Sequence, residues 1–309
     1  MQLRSKDLLG IKELSAEEIT LILDTAKTMK QVMATPTKKT AHLQGKSVVT
    51  LFYENSTRTR MSFEMAAKYM GASSGNISVS GSSIQKGENL LDTATTIDMM
   101  ATDFIIMRHN QSGAPHYLAN RVKASIINAG DGMHEHPTQS LLDLYTMRDK
   151  LGSLSGLKVA IIGDCMHSRV FHSNLYALRK LGSEVWCSGP ASLMPKAIEE
   201  TGAHYCRRVE EAIEGADVVM GLRIQLERMK KGLFPSVNEY RKIYGLSPER
   251  IALAKPGALV MHPGPANHGV EIETAVYNCE QSVISEQVTN GVAVRMAVLY
   301  LLNLRRNAL

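Results

Sequence analysis

The feature that most restricts the fold is a repeated alternation of short strand-like runs with segments of helical period. Ser47 to Tyr53, Asn76 to Ser80, Asp103 to Met107 and Ala124 to Asn128 read as strands, with helical patterns around Arg60 to Met70 and Asn89 to Met100. Strands alternating with helices indicate a parallel sheet covered on both faces. A helix from about His136 to Lys150 leads to Gly152-Ser153-Leu154-Ser155-Gly156, the most linker-like stretch of the chain. The alternation then resumes at Lys158 to Gly163, Glu184 to Cys187, Asp217 to Met220 and Ala258 to Met261. The expectation is an α/β fold of two domains, each a mainly parallel sheet flanked by helices, with the active site in the interdomain cleft. The domains are expected at residues 1–135 plus 290–309 and at 136–289, since the apolar helix Gly291 to Leu302 is placed back on the first domain. At the other end, Ser15 and Glu18 form a capping box that starts a helix running to about Met33.

In parallel α/β sheets ligands meet the carboxyl ends of the strands, so the residues just past each strand are the ones that bear on function. After the first comes Ser56-Thr57-Arg58-Thr59-Arg60, opening a helix from about Arg60. A helix start offers unpaired N–H groups and partial positive charge, and arginine adds a fork matched to phosphate oxygens. Two arginines at the mouth of a buried strand repel each other unless an anion sits between them, so the stretch reads as a phosphate seat more than a plain helix cap. Gly81 to Glu88, with Ser82 and Lys86, comes after the second strand, and Arg108-His109 after the third. Gly130 to Gln139, with His136 and Gln139, comes after the fourth. In the second half, Asp164 to Arg169, Gly221 to Gln225 and His262-Pro263-Gly264-Pro265 hold the same places. Arg169 and Arg223 suit carboxylates, which arginine binds with both arms. The inferred ligands are one phosphate compound and one carboxylate compound.

Several classes are excluded. The net charge of +5 is spread along the chain without a basic block interleaved with aromatics, so nucleic acid is not the expected partner. No apolar run approaches a membrane span, and the N-terminus lacks a signal-peptide core. The four cysteines show no paired spacing, which fits reduced thiols in a soluble cytoplasmic protein. The turn at Gly163 lacks the further glycines of a dinucleotide site, and neither a Gly-x-Ser-x-Gly elbow nor a P-loop lysine motif is present. His134, Glu135 and His136 are of metal-ligating types, but the spacing is not that of a helix pair and no third ligand cluster is evident, so no metal is expected. A cofactor-free site for two substrates remains.

Phe52 to Arg60 also matches Phe-x-x-x-Ser-Thr-Arg-Thr-Arg, and on this the chain resembles the aspartate/ornithine carbamoyltransferase family. Lys86-Gly87-Glu88, Met107-Arg108-His109, Gly130-Asp131-Gly132, His136-Pro137-Thr138-Gln139, Arg223-Ile224-Gln225 and His262-Pro263-Gly264-Pro265 extend the likeness over nearly the whole chain, in one order. Ornithine members carry His-Cys-Leu-Pro where this chain has His262 to Pro265, and a Ser-Met-Gly segment that is missing at Met229 to Phe234, so the pattern falls on the aspartate side. One departure is His268, where many relatives carry arginine.

The resemblance implies transfer of the carbamoyl group of carbamoyl phosphate to the α-amino group of L-aspartate, without cofactor, as a step of pyrimidine synthesis. Transfer to another amine such as ornithine, or an inactive scaffold relative, are the alternatives. By resemblance Ser56, Thr57, Arg58 and Thr59 hold the phosphate. Thr59, Arg108 and His136 bind the carbonyl oxygen, and Gln139 with the carbonyls of Gly264 and Pro265 holds the carbamoyl amino group. Arg58, Thr59, Arg108 and His136 are the expected catalytic residues, and Lys86, Arg169, Arg223 and Gln225 hold aspartate. Ser82 and Lys86 are expected to bind carbamoyl phosphate in a neighbouring subunit's site, which implies a homotrimer with shared active sites; a separate regulatory chain is compatible with this.

Overall fold

The computed structural model of the chain describes residues 2–78, 88–224 and 236–307. It comprises two compact units, Met1–Tyr145 with Val288–Leu309, and Thr146–Gln287.

The first unit opens with helix α1 (Ala16–Ala34). Its start is fixed reciprocally: the Glu18 N–H donates to Ser15 Oγ at 3.2 Å, and the Ser15 N–H donates to Glu18 Oε2 at 2.9 Å. Two of the amides that a helix start leaves open are thereby satisfied. Ile19, Ile22, Leu23 and Ala26 recur at helical spacing and are buried. Next come β1 (Ser47–Phe52), α2 (Thr57–Tyr69), β2 (Ser73–Ser78), α3 (Leu90–Met99), β3 (Phe104–His109), α4 (Ala114–Ala119), β4 (Ser125–Asp131) and α5 (Pro137–Leu151). The strands lie in the order β2-β1-β3-β4, with every neighbouring pair parallel. Leu51, Ile105, Met107 and Ile126 from three of the strands pack with Ile97 of α3 and Leu118 of α4 in one core.

The second unit contains β5 (Lys158–Ile162), α6 (Arg169–Lys180), β6 (Glu184–Ser188), β7 (His204–Tyr205), α7 (Val209–Ile213), β8 (Val218–Gly221), α8 (Val237–Tyr244), α9 (Pro248–Ile251), β9 (Leu259–Met261) and α10 (Thr274–Tyr277). Its sheet, β7-β6-β5-β8-β9, is also wholly parallel. The final helix, α11 (Ile284–Asn307), begins in this unit and belongs to the first from Val288 onward. No helix among the described residues is long and apolar enough to cross a membrane.

Both sheets run outward in two directions from an interior pair, β1 with β3 in one and β5 with β8 in the other. Such a reversal of strand order leaves a crevice at the carboxyl ends of the two strands, where open parallel sheets take their ligands. The helix after β1 begins at Thr57, three residues before the position its apolar pattern suggests, because Thr57, Arg58 and Thr59 add a polar first turn outside that periodicity.

Candidate functional site

The reversal point of the first unit carries the Ser56 to Thr59 turn and Arg108. Ser56 is the N-cap of α2 with extended backbone, and its side chain makes no capping hydrogen bond. The first-turn amides are therefore not taken up by the residue type that ordinarily caps them. Thr59 is buried, while Thr57 and Arg58 are exposed. One strand across, the register pairs Phe52 with Arg108, and the Tyr53 N–H donates to the Arg108 carbonyl at 2.8 Å. The β3–β4 register shifts between Met107 and His109, so Arg108 stands where the ladder is irregular, a place from which a strand can re-aim a side chain. Its guanidinium reaches Glu54 Oε1 at 2.6 Å and the Ala129 carbonyl at 3.2 Å. β4 is the next strand, and beyond it His136 precedes α5, buried, with Gln139 in the first turn.

Gln139 is held from beneath. Its Nε2 donates to Asp143 Oδ1 at 2.9 Å, one helical turn on. Asp143 favours the charge of Arg295 on α11, whose Nη1 donates to Ser62 Oγ of α2 at 2.9 Å. Arg295 is buried and lies 5.0 Å from the Phe63 ring centre. Burial lowers its guanidinium to about 10, with Asp143 acting in the opposite direction. A buried charged residue thus links the helix of the Ser56 turn to the helix of Gln139. Gly291 makes room for it, since a Cβ there would stand 2.6 Å from Arg295 Nη1 and 3.1 Å from Leu142.

The loop after β4 is ordered by Asp131, which is fully buried. Its Oδ1 accepts from Asn128 Nδ2 at 2.9 Å and the Glu135 N–H at 3.1 Å. Its Oδ2 accepts from the Gly113 N–H at 2.7 Å and stands 3.1 Å from His134 Nδ1. Burial works against the charge of this carboxyl, but these hydrogen bonds outweigh it and hold the group below the usual range. Gly132, at φ +46°, is required here because a Cβ would meet Ser112 Oγ at 2.5 Å and Ser112 N at 2.6 Å. Glu135 accepts from the Ile11 and Lys12 amides at 2.7 and 3.2 Å.

At the reversal point of the second unit, Arg169 is the first residue of α6 and is buried, and Arg223 comes after β8, half-buried. Ser168 caps α6 by accepting the Phe171 N–H at 3.2 Å. Asp164 Oδ1 accepts the His167 N–H at 3.0 Å and lies 3.0 Å from His167 Nδ1. Burial pushes the Asp164 carboxyl up, and His167 only partly offsets this. Beyond β9, neighbour to β8, come Gly264 and Pro265. Asn267 ties this loop to the Arg223 segment: its Nδ2 donates to the Ile224 carbonyl at 3.0 Å and to Glu271 Oε2 at 3.1 Å. The Gly264 N–H donates to His262 Nδ1 at 2.8 Å, and His262 Nε2 lies 3.2 Å from Glu271 Oε1. With Nδ1 accepting from Gly264, a neutral ring carries its proton on Nε2, near a carboxylate that is itself buried.

Within each unit, then, the cationic residues singled out from sequence gather where the strand order reverses. Ser82, Lys86 and Gln225 lie outside the described residues. Sequence reasoning did not find Glu54, Asp143, Arg295, Asn267 or Glu271. Arg295 had one signal, as a lone charge in the apolar run from Gly291 to Leu302.

Residues 6–149 match the carbamoyl-P binding domain, and residues 155–302 the Asp/Orn binding domain, described for aspartate/ornithine carbamoyltransferase. The chain belongs to the aspartate/ornithine carbamoyltransferase family. It is 63% identical over 305 residues to the aspartate carbamoyltransferase catalytic subunit of Ruminiclostridium cellulolyticum, covering 99% of this chain and 97% of that one. The corresponding subunit of Acetivibrio thermocellus is 61% identical, with 99% and 98% covered. Among solved structures, aspartate transcarbamoylase of Trypanosoma cruzi in complex with carbamoyl phosphate matches with a TM-score of 0.88 at 31% identity, 96% of each chain being covered. Ornithine carbamoyltransferase of Pyrococcus furiosus matches nearly as well, at a TM-score of 0.86 and 29% identity over 97% of this chain and 98% of that one. The fold is thus shared by both branches, and the higher sequence identity lies with the aspartate branch.

Proposed function

We propose that this chain is a carbamoyltransferase moving the carbamoyl group of carbamoyl phosphate to the α-amino group of L-aspartate, with N-carbamoyl-L-aspartate and phosphate as products. The observation that carries the reading is the placement of the Ser56 to Thr59 turn and Arg108 at the first sheet's reversal point, and of Arg169 and Arg223 at the second sheet's. Relatives named for the aspartate reaction at 63% and 61% identity support aspartate as acceptor.

In this reading Ser56, Thr57, Arg58 and Thr59 bind phosphate oxygens through hydroxyls, first-turn amides and one guanidinium. Thr59, Arg108 and His136 donate to the carbonyl oxygen as it takes on charge. Gln139, oriented by Asp143, holds the carbamoyl amino group together with the carbonyls of Gly264 and Pro265. Arg169 and Arg223, with Lys86 and Gln225, bind the aspartate carboxylates. The deprotonated amine attacks the carbamoyl carbon, the tetrahedral intermediate collapses, and phosphate leaves with the amine proton. The protein contributes position and fixed charge, and forms no covalent bond to substrate. Ser82 and Lys86 act in a neighbouring subunit's site within a homotrimer, on which a regulatory chain can dock.

The test is phosphate release from carbamoyl phosphate with aspartate or ornithine as acceptor. Aspartate is expected to exceed ornithine by more than about 100-fold in kcat/KM, since a site built for an anion rejects a cation. Turnover with ornithine and none with aspartate would overturn the assignment.

A further inference from the structure

Among the described residues outside the transferase site, one cluster has the chemistry of a metal centre. A nitrogen of His116 on α4, a carboxylate oxygen of Asp131 at the end of β4 and a nitrogen of His134 in the adjoining loop lie within 4.8 Å of one another. We propose that these three side chains bind a divalent cation of the zinc class.

Two imidazoles and one carboxylate suit such an ion, which takes nitrogen and oxygen donors at about 2.0–2.1 Å in tetrahedral arrangement. That geometry sets neighbouring donor atoms about 3.3 Å apart and the centres of two ligating imidazoles about 5.2 Å apart. Asp131 Oδ2 and His134 Nδ1 stand 3.1 Å apart. The His116 and His134 ring centres stand 5.4 Å apart with the rings inclined at 62°. Both separations are close to those values.

His116 supplies an independent sign. Its Nε2 lies 3.1 Å from Glu13 Oε1, while its Nδ1 is buried and meets no hydrogen-bond partner among the described residues. A metal-ligating imidazole characteristically gives its second nitrogen to a carboxylate, which fixes the tautomer and leaves the other lone pair for the ion. Glu13 takes that outer role here. Asp131 is pre-set by the Asn128 side chain and the Gly113 and Glu135 amides, so it reaches the ion as an ordered ligand. His134, half-exposed, exchanges its hydrogen bond with Asp131 for a bond to the metal and opens the fourth position to water. The ion would clip α4 to the loop that leads into α5. The histidine pair visible in sequence is His134 with His136, but the pair that meets is His134 with His116, 18 positions back.

The test uses the purified full chain stripped with a chelator, then titrated with Zn2+ by calorimetry and with Co2+ by visible absorption. One ion per chain is expected, with the Co2+ spectrum of a four-coordinate nitrogen–oxygen site. His134→Ala and His116→Ala should each weaken Zn2+ binding at least about 100-fold, and Glu13→Gln about 10-fold. X-ray absorption of the Zn2+-loaded unmodified chain should show two imidazoles and oxygen ligands, a readout independent of how any variant folds. Absence of saturable binding, binding unchanged in both histidine variants, or a sulfur-containing ligand shell would each overturn the site.

Discussion

The Arg295 guanidinium donates to the Ser62 hydroxyl at 2.9 Å across 233 positions of sequence, joining α11 to the helix that carries the Ser56 turn. Asp143 on α5 favours the same charge. Removing the guanidinium leaves the buried Ser62 hydroxyl without its donor and Asp143 without a favourable charge, which costs about 1–3 kcal/mol. Arg295→Ala is therefore expected to lower unfolding stability in urea by that order. The double variant Arg295→Met with Asp143→Leu, which removes both charges, is expected to lose less. Gly291→Ala forces the guanidinium aside, and the overpacking cost, offset by about 1 kcal/mol of helix propensity, should leave a net loss of no more than about 2 kcal/mol.

Asp143 also orients Gln139, so its loss should be visible in kinetics as well as stability. Asp143→Ala is expected to raise the KM for carbamoyl phosphate by about 10-fold with a smaller change in kcat, because the interaction lost is one of positioning. Asp143→Asn, which keeps an acceptor oxygen for Gln139, should restore most of the affinity. Equal KM values for the two variants would separate Asp143 from substrate binding.

Arg108 is proposed to donate to the oxygen on which charge develops, and Arg58 to hold phosphate. Loss of a donor to a developing oxyanion costs roughly 100- to 1,000-fold in kcat. Arg108→Lys, which keeps the charge but loses the planar fork that spans Glu54 and the Ala129 carbonyl, is expected in that range. Arg58→Ala should act chiefly on carbamoyl phosphate affinity, read as KM and as the inhibition constant of inorganic phosphate. Full activity of Arg58→Ala would remove the phosphate seat from the mechanism.

Glu18 gives a pH-dependent contribution to stability. Burial opposes its ionisation, yet hydrogen bonds from the Ser15 and Arg4 amides and the Arg4 guanidinium hold its carboxyl below the usual range. A carboxyl with a lowered folded pKa stabilises above its unfolded value, near 4.3, and loses that contribution as pH falls through the folded value. Thermal unfolding of Glu18→Gln should therefore differ most from the unmodified chain at neutral pH. The two are expected to converge in acid, as pH falls through the lowered folded value.

The buried strands were legible because they are apolar along most of their length, and β1, β5 and β8 each combine that run with a polar strand end; β2 (Ser73–Ser78), polar and largely exposed, begins three residues before the expected Asn76 because it carries no such run. The two-residue β7 and the short helices α7, α9 and α10 were not, since two to five residues cannot display a period. The cationic strand ends could be found in sequence because charge at the mouth of an apolar run is a local pattern. Glu54 with Arg108 and Asn267 with Ile224 could not, because the contacts join segments at or beyond the ends of neighbouring strands across 54 and 43 positions. The helix start at Thr57 was missed for the same reason that it matters: its first turn holds polar groups where packing would place apolar ones.

The passage of α11 from one unit to the other bears on the order in which the chain can be completed during synthesis. Met296, Leu299 and Leu302 are fully buried, and Arg295 is held against Ser62, yet all of them leave the ribosome after every residue from Thr146 to Gln287. The unit whose first strands are made earliest is thus the last to be closed. The second unit, contiguous in sequence, has all its strands available before that closure begins.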